Sequence, residues 1–127
     1  MPLTDKLSLR RTLSSLLLTL ILAPVAFAHH GWSWTEEGNF QLIGIITEAR
    51  LGNPHGRLTV QAEEEQWLVE VGQPWRNERA GLTDQMLSPD TEITIIGHRS
   101  SDPNEKRMKA ERVFIDGQEY VLYPDRN

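Results

Sequence analysis

The chain has 127 residues, of which 39% are hydrophobic and 24% are charged, a composition typical of one globular domain. Its net charge of -5 argues against nucleic acid as a partner, because nucleic-acid binding rests on a concentrated basic surface. Cysteine is absent from the sequence, which excludes disulfides, thiol nucleophiles and thiolate metal sites. Histidine and carboxylate remain as candidate metal ligands.

The first 28 residues have the pattern of a secretory signal peptide. Basic Lys6, Arg10 and Arg11 precede an apolar core at residues 13–22, and the small residues of "AFA" precede an expected cleavage site after Ala28. This core is shorter than the roughly 20 residues of a membrane-spanning helix, so we expect no stable membrane span after cleavage. The expected location is periplasmic, and the arginine pair leaves twin-arginine export open beside the general route.

Cleavage after Ala28 leaves 99 residues and makes His29 the N-terminal residue. The cleaved part takes away three basic and one acidic side chain, so the net charge becomes -7, which also disfavours an anionic membrane surface as a partner. We expect an N-terminal segment rich in histidine and tryptophan at residues 29–38, followed by one domain at residues 39–127.

The first half of this domain has the pattern of three strands. "NFQLIGIITEAR" predicts a strand in which Gly44 allows a bend, and "GNPHG" predicts a tight loop with His55 at its tip. "RLTVQAE" and "QWLVEVG" alternate apolar and polar residues, with Trp67, Val69 and Val71 on one face. They predict a hairpin around an acidic turn.

The second half has one helical and several strand patterns. Pro74 bars a continuing central strand, and "LTDQML" predicts a short helix that Pro89 ends. "TEITIIGHRS" predicts the fourth strand, and "MKAERVFIDG" with "QEYVLY" predicts a final pair around the Asp116-Gly117 turn.

Together these elements predict an all-β fold, a small OB-like five-stranded Greek-key barrel with one short helix between strands three and four. A barrel is favoured because short strands with one apolar face must close on themselves, and closure removes their edges. Other small barrels with an inserted helix stay open as alternatives. In an OB-fold the loop between strands one and two borders the ligand face, which is where "GNPHG" would lie.

Three histidines form a candidate metal site. The α-amine and imidazole of an N-terminal His29 can chelate one ion, His30 offers a second imidazole, and His55 could add a third. Amine and imidazole nitrogens favour copper(II), with nickel and zinc next. The arrangement resembles the histidine brace of exported copper enzymes and copper carriers. Solvated, disordered histidines at a chain end are the alternative.

Tryptophans follow the histidine pair. Trp32 and Trp34 lie two residues apart, so an extended segment would place them on one side, where they could pack on the barrel. His98, at the end of the fourth strand, is interpreted as a structural or surface histidine, and it is the spare ligand if His30 points away.

The run "GQPWRNERAG" offers a second candidate site. Trp75, Arg76 and Arg79 could bind a small anion, a glycan or a partner protein through ring stacking and bidentate guanidinium bonds. The alternative is that these arginines form exposed ion pairs of little energetic weight.

Signatures of enzymes are few. The sequence contains no G-x-S-x-G, Walker or H-E-x-x-H motif, and Glu63, Glu64 and Glu65 fall in a hairpin turn typical of a solvated surface. Redox chemistry at a histidine-bound copper is the one catalytic route left, and it would need an open coordination position. We therefore favour a binding protein over an enzyme.

Four segments carry a family resemblance over essentially the whole mature chain: "AHHGWSW", "LGNPHGRLTV", "VEVGQPWRNERAGLT" and "IIGHRSSDPNEKRMKAERV". The chain resembles a family of small exported bacterial proteins known only as a domain of unknown function. The resemblance implies an exported single domain in Gram-negative-type bacteria and implies no reaction.

Overall fold

The computed structural model describes residues 31–126. Its elements, in chain order, are β1 (Phe40–Arg50), β2 (Arg57–Ala62), β3 (Glu65–Glu70), α1 (Pro74–Ala80), a 3-10 helix (Gln85–Leu87), β4 (Glu92–Arg99), β5 (Arg107–Ile115), β6 (Gln118–Val121) and a closing 3-10 turn (Pro124–Arg126). Within this part of the chain, no helix is long and apolar enough to cross a membrane.

The six strands form one sheet in the order β3-β2-β1-β4-β5-β6. The sheet closes because β3 also pairs with β5 in parallel, starting at Leu68 opposite Arg107. The closed ring therefore holds β1 to β5, and β6 extends the sheet as a hairpin partner of β5. This topology, with α1 between β3 and β4, confirms the predicted OB-like barrel.

The barrel interior is filled by the apolar positions that alternation predicted. Trp67, Val69 and Val71 are buried, and so are Leu58 and Val60 on the paired strand. The core is completed by further buried residues of the strands, of the α1–β4 connection and of the segment after β6: Leu42, Ile46, Ala62, Leu82, Leu87, Ile93, Ile95, Met108, Ala110, Val113, Ile115, Tyr120 and Leu122. Period-two alternation therefore identified the inward faces of β2 and β3.

The position of the α-helix was predicted wrongly. It lies at Pro74–Ala80, whereas "LTDQML" forms only the 3-10 helix. Proline fits the first turn of a helix, where its missing N–H has no partner to lose, and Gly81 ends the helix with a φ of 89°. The buried Asn77 then joins α1 to the end of β3, since its amide exchanges two hydrogen bonds with the Gly72 backbone.

One end of the barrel brings together residues from four strands. In the registers of the sheet, Arg57 lies opposite Glu70, Glu70 opposite Lys109, and Lys109 opposite His98. This row crosses β2, β3, β5 and β4 at the end where the β1–β2 loop, residues 51–56, also lies. The loop is joined to that end by Gly56, whose N–H donates to the Gly72 carbonyl at 3.0 Å.

Candidate functional site

Residues 31–35, which we call the strap, lie against the outside of the barrel. The strap is a turn and not an extended segment, and the Thr35 N–H donates to the Trp32 carbonyl at 3.0 Å within it. Thr35 forms a β-bridge with Ser100, and the Ser101 N–H donates to the Trp34 carbonyl at 3.0 Å. The strap is therefore fixed to the β4–β5 loop.

The two tryptophans of the strap cover cations on β5. The guanidinium of Arg107 lies 3.9 Å from the Trp34 ring centroid, and the ammonium of Lys109 lies 4.8 Å from that of Trp32. Alternate residues of a strand face one side, so the two cations point outward together. Trp32 is buried by these contacts and by edge contacts with His98 and Tyr123.

Lys109 is a buried cation outside the apolar core. Its residue is 1% exposed, and its Nζ donates to the Gly31 carbonyl at 2.7 Å. Burial lowers the pKa of this amine, while the carboxylate of Glu70 acts in the opposite direction. A charge in such surroundings is costly unless it is bonded, and the Gly31 carbonyl and the Trp32 ring supply those contacts.

Two buried carboxylates flank Lys109. Glu70 accepts a hydrogen bond from Arg107 Nη2 at 3.0 Å, and Glu111 lies 3.3 Å from His98 Nε2. The other ring nitrogen of His98 lies 2.9 Å from the Glu36 carbonyl oxygen. Both nitrogens of His98 therefore have protein partners, which agrees with a structural role and leaves none for a metal. We call Glu70, His98, Arg107, Lys109 and Glu111 the polar patch.

His55 lies at the same end of the barrel. The preceding Asn53 and Pro54 are exposed, but the His55 side chain is half-buried, and its Nδ1 is buried without a hydrogen-bond partner in the described part of the chain. Burial lowers the pKa of the imidazole, the Lys109 ammonium lowers it further, and Glu70 opposes them. These surroundings favour the neutral form of the His55 imidazole. The His55 side chain also lines an open cleft of about 340 Å³.

Of the three predicted metal ligands, His55 lies among the described residues. His29 and His30 lie outside the described residues, and Gly31, which follows them, is held on Lys109. Within residues 31–126, no group of three or more histidine or acidic side chains is placed to hold a metal ion.

The second predicted site is brought together only in part. Trp75 is 51% exposed, and the guanidinium of Arg76 stacks between its ring and that of Tyr123, at 4.5 and 4.1 Å from the centroids. Arg76 also donates to the Leu122 carbonyl at 3.1 Å, so much of its hydrogen-bonding capacity is used inside the protein. Arg79 is exposed and lines a cleft of about 260 Å³ beside Arg76.

Sequence reasoning missed the polar patch. Glu70, Lys109 and Glu111 lie at strand positions where alternation predicts solvent, and none of them stands out in composition. The available signal was the matched spacing of Trp32 and Trp34 in the strap with the two cations on β5.

These features define a class of protein: a small OB-like barrel whose outer polar patch is covered by an N-terminal strap that contains tryptophan. The chain belongs to the family of unknown function DUF6152, which matches residues 18–109. The matched range includes the strap, the His55 loop and Lys109.

No curated protein matches the chain. Similar solved structures include the S. pombe Stn1-ten1 complex, with 18% identity over 61% of this chain and 57% of that chain and a TM-score of 0.48. A ZRD-deleted mutant of TiaS in complex with agmatine shows 13% identity over 66% and 26% of the two chains, with a TM-score of 0.49. A replication protein A heterotrimer bound to ssDNA shows 12% identity over 68% and 58%, with a TM-score of 0.44. The chain thus spans less than two thirds of each of these chains.

Proposed function

We propose that the protein is an exported copper-binding module, in which the α-amine and imidazole of His29, the imidazole of His30 and that of His55 bind one copper(II) ion. Export and cleavage after Ala28 follow from the signal-peptide pattern, and they supply the free amine. The observation that carries the proposal is the buried Nδ1 of His55, which has no hydrogen-bond partner within residues 31–126.

The position of the strap supports the proposal. The Gly31 carbonyl accepts a hydrogen bond from Lys109, and the charge of Lys109 adds to burial in lowering the pKa of His55. Consecutive Cα atoms are about 3.8 Å apart, so His30 and His29 begin within about 8 Å of Gly31 along the chain. The proposal requires that the two histidines before Gly31 come close enough to His55 to share one ion.

The chemistry of His55 also supports it. An imidazole binds a metal through a neutral nitrogen, and a lowered pKa favours the neutral ring. The affinity of nitrogen ligands for divalent ions is highest for copper. The open cleft beside His55 gives an ion a path to the ring.

The charges around the His55 ring limit the expected affinity for copper(II). Lys109, Arg57 and Arg76 all lower the pKa of His55, and the same positive potential opposes a bound cation, whereas Glu70 favours it. We expect added salt to strengthen copper binding modestly, because screening weakens this repulsion.

The test is a copper(II) titration of the correctly processed mature protein. We expect His55→Ala to weaken binding about 10-fold or more, and one extra residue before His29 to weaken it at least as much, because each removes a nitrogen ligand. Asn53→Ala, an exposed position in the same loop, is the matched control and should bind as the parent does. Equal affinity in all four proteins would refute the site.

A second candidate function rests on the exposed Trp75. The exposed Arg79 and the half-buried Arg76 line the cleft of about 260 Å³, and the Trp75 ring stacks on Arg76, so this surface could hold a small anion, a glycan or a segment of a partner protein. Arg76 would serve as a support for Trp75 because it is bonded internally. A ligand that binds Trp75→Ala and the parent protein with equal affinity does not bind at the Trp75 surface.

A further inference from the structure

The outer face of β1 exposes apolar side chains beside a cleft. Ile43 and Ile45 lie two residues apart, so both point away from the core, and they are 63% and 43% exposed. In the registers of the sheet, Ile43 lies opposite Thr94 of β4, and Thr94 lies opposite the half-buried Phe114 of β5. Ile43, Ile45 and Phe114, which we call the apolar patch, therefore lie on one face and line a cleft of about 410 Å³.

Acidic residues border the apolar patch. Glu92 lies opposite Ile45 in the sheet, and Asp116 follows the last residue of β5. Both are exposed and line the cleft, and neither has an ion-pair partner among the residues that the structure describes. In the same part of the chain, no lysine or arginine lines this cleft. The cleft thus combines an apolar surface with two negative charges that are available to a partner.

These charges argue against a second copy of the chain as the occupant. A two-fold dimer through the apolar patch would bring the same surface of both copies together, so the acidic residues of the two copies would approach each other. Like charges brought together across an interface cost free energy. An anionic membrane surface or a nucleic acid would meet the same repulsion, because both carry negative charge.

We propose that the apolar patch is a docking site for a segment of another protein in which apolar side chains alternate with lysine or arginine. The apolar side chains enter the cleft beside Ile43, Ile45 and Phe114, and the basic side chains pair with Glu92 and Asp116. Such complementary charges supply specificity and speed of association, while the apolar contacts supply affinity. This inference does not depend on the copper site.

The acidic residues have one other physical explanation. Charged residues beside exposed apolar strands prevent self-association in many proteins, without any partner. In that case the loss of a carboxylate would promote self-association and leave the affinity for a basic peptide unchanged, so peptide binding and self-association are measured on the same variants.

An NMR titration of the mature protein with a short capped peptide, in which leucine alternates with lysine, tests the proposal. We expect saturable shifts of the amides of Ile43, Ile45 and Phe114, and about 5-fold or more weaker binding for Ile43→Ser and for Glu92→Gln. Gln41→Ser and Glu64→Gln are the matched controls, because both positions are exposed and neither lines the cleft; they should bind the peptide as the parent does. Peptides with glutamate in place of lysine, or serine in place of leucine, should bind at least 5-fold more weakly.

Several outcomes would overturn the docking site. One is the absence of saturable shifts at the apolar patch, and another is equal peptide affinity in the parent, Ile43→Ser and Glu92→Gln. Sedimentation of the parent should show a monomer, and a dimer that Ile43→Ser abolishes would make the patch an interface between copies instead. Vesicles that contain an anionic lipid should not bind the protein, and binding that Ile43→Ser abolishes would assign the patch to a membrane.

Discussion

Two outer faces of the barrel differ in the exposure of their charged and apolar side chains. On β5, the charged residues Lys109 and Glu111 are each 1% exposed, whereas on β1 the apolar residues Ile43 and Ile45 are 63% and 43% exposed. Both strands bury apolar side chains on their inner face, so the difference comes from what lies above their outer face. On the outer surface of the barrel, a side chain is therefore buried only where another segment covers it.

Two segments, the strap and the residues after β6, cover the outer face of β5. The strap lies over Lys109 and Arg107, and the residues after β6 are held on Glu111, whose carbonyl accepts from the N–H groups of Leu122 and Tyr123 at 2.9 and 3.1 Å. Each buried charge has a partner in this arrangement, which keeps the cost of burial low. Ile43 and Ile45 need no such pairing, because their side chains are apolar.

Removing the strap's main contact should have the largest effect on this comparison. We expect Trp32→Ala to lower the free energy of unfolding by about 3 kcal/mol, because it deletes a buried indole and exposes Lys109 and Tyr123 to solvent. Urea denaturation measures the change. Trp75→Ala, which removes a half-exposed indole, should cost about 1 kcal/mol. If Trp32→Ala and Trp75→Ala lowered the free energy of unfolding by similar amounts, the strap would not be a stabilising element.

Gly97→Ala should come second. A Cβ at Gly97 would overlap the Lys109 carbonyl oxygen, and this atom is backbone and cannot turn away. We expect a loss of about 2 kcal/mol, typical of overpacking, as β4 and β5 move apart. Thermal denaturation followed by circular dichroism measures it, and an unchanged melting temperature would show that the two strands do not approach this closely.

Lys109→Met should change stability less than either. The variant loses the bond to Gly31 but no longer buries an ammonium, so we expect a net change of about 1 kcal/mol or less. Hydrogen exchange at Thr35 and Ser101 should nevertheless become faster, because the strap loses an anchor. Unchanged exchange in the variant would count against Lys109 as the anchor.

Ile43→Ser should have the smallest effect, within about 0.5 kcal/mol, since its side chain is already mostly in solvent. A loss comparable with that of Trp32→Ala, measured in the same urea titration, would indicate that the β1 face is covered in solution.

Local patterns in the sequence were sufficient to predict the barrel. Alternation placed Trp67, Val69 and Val71 inside, and the turn residues placed the strand ends within one or two positions. The helix was misplaced because "LTDQML" has helical apolar spacing at Leu82 and Met86, whereas α1 is bracketed by a proline and a glycine. These two residues carry the stronger physical signal.

The candidate site was predictable only as a set of residues. His55 was identified from its loop, but the burial of its Nδ1 and the position of Lys109 opposite Glu70 depend on contacts between distant segments, such as the parallel pairing of β3 with β5. No local pattern predicts that Lys109 is buried, because its strand position normally faces solvent.

Native mass spectrometry of the exported protein tests the central claim most directly. Our account predicts a chain that begins at His29 and carries one copper ion, and that loses the ion on His55→Ala. A chain that begins at another residue, or one that begins at His29 and stays free of metal after exposure to copper(II), would contradict it.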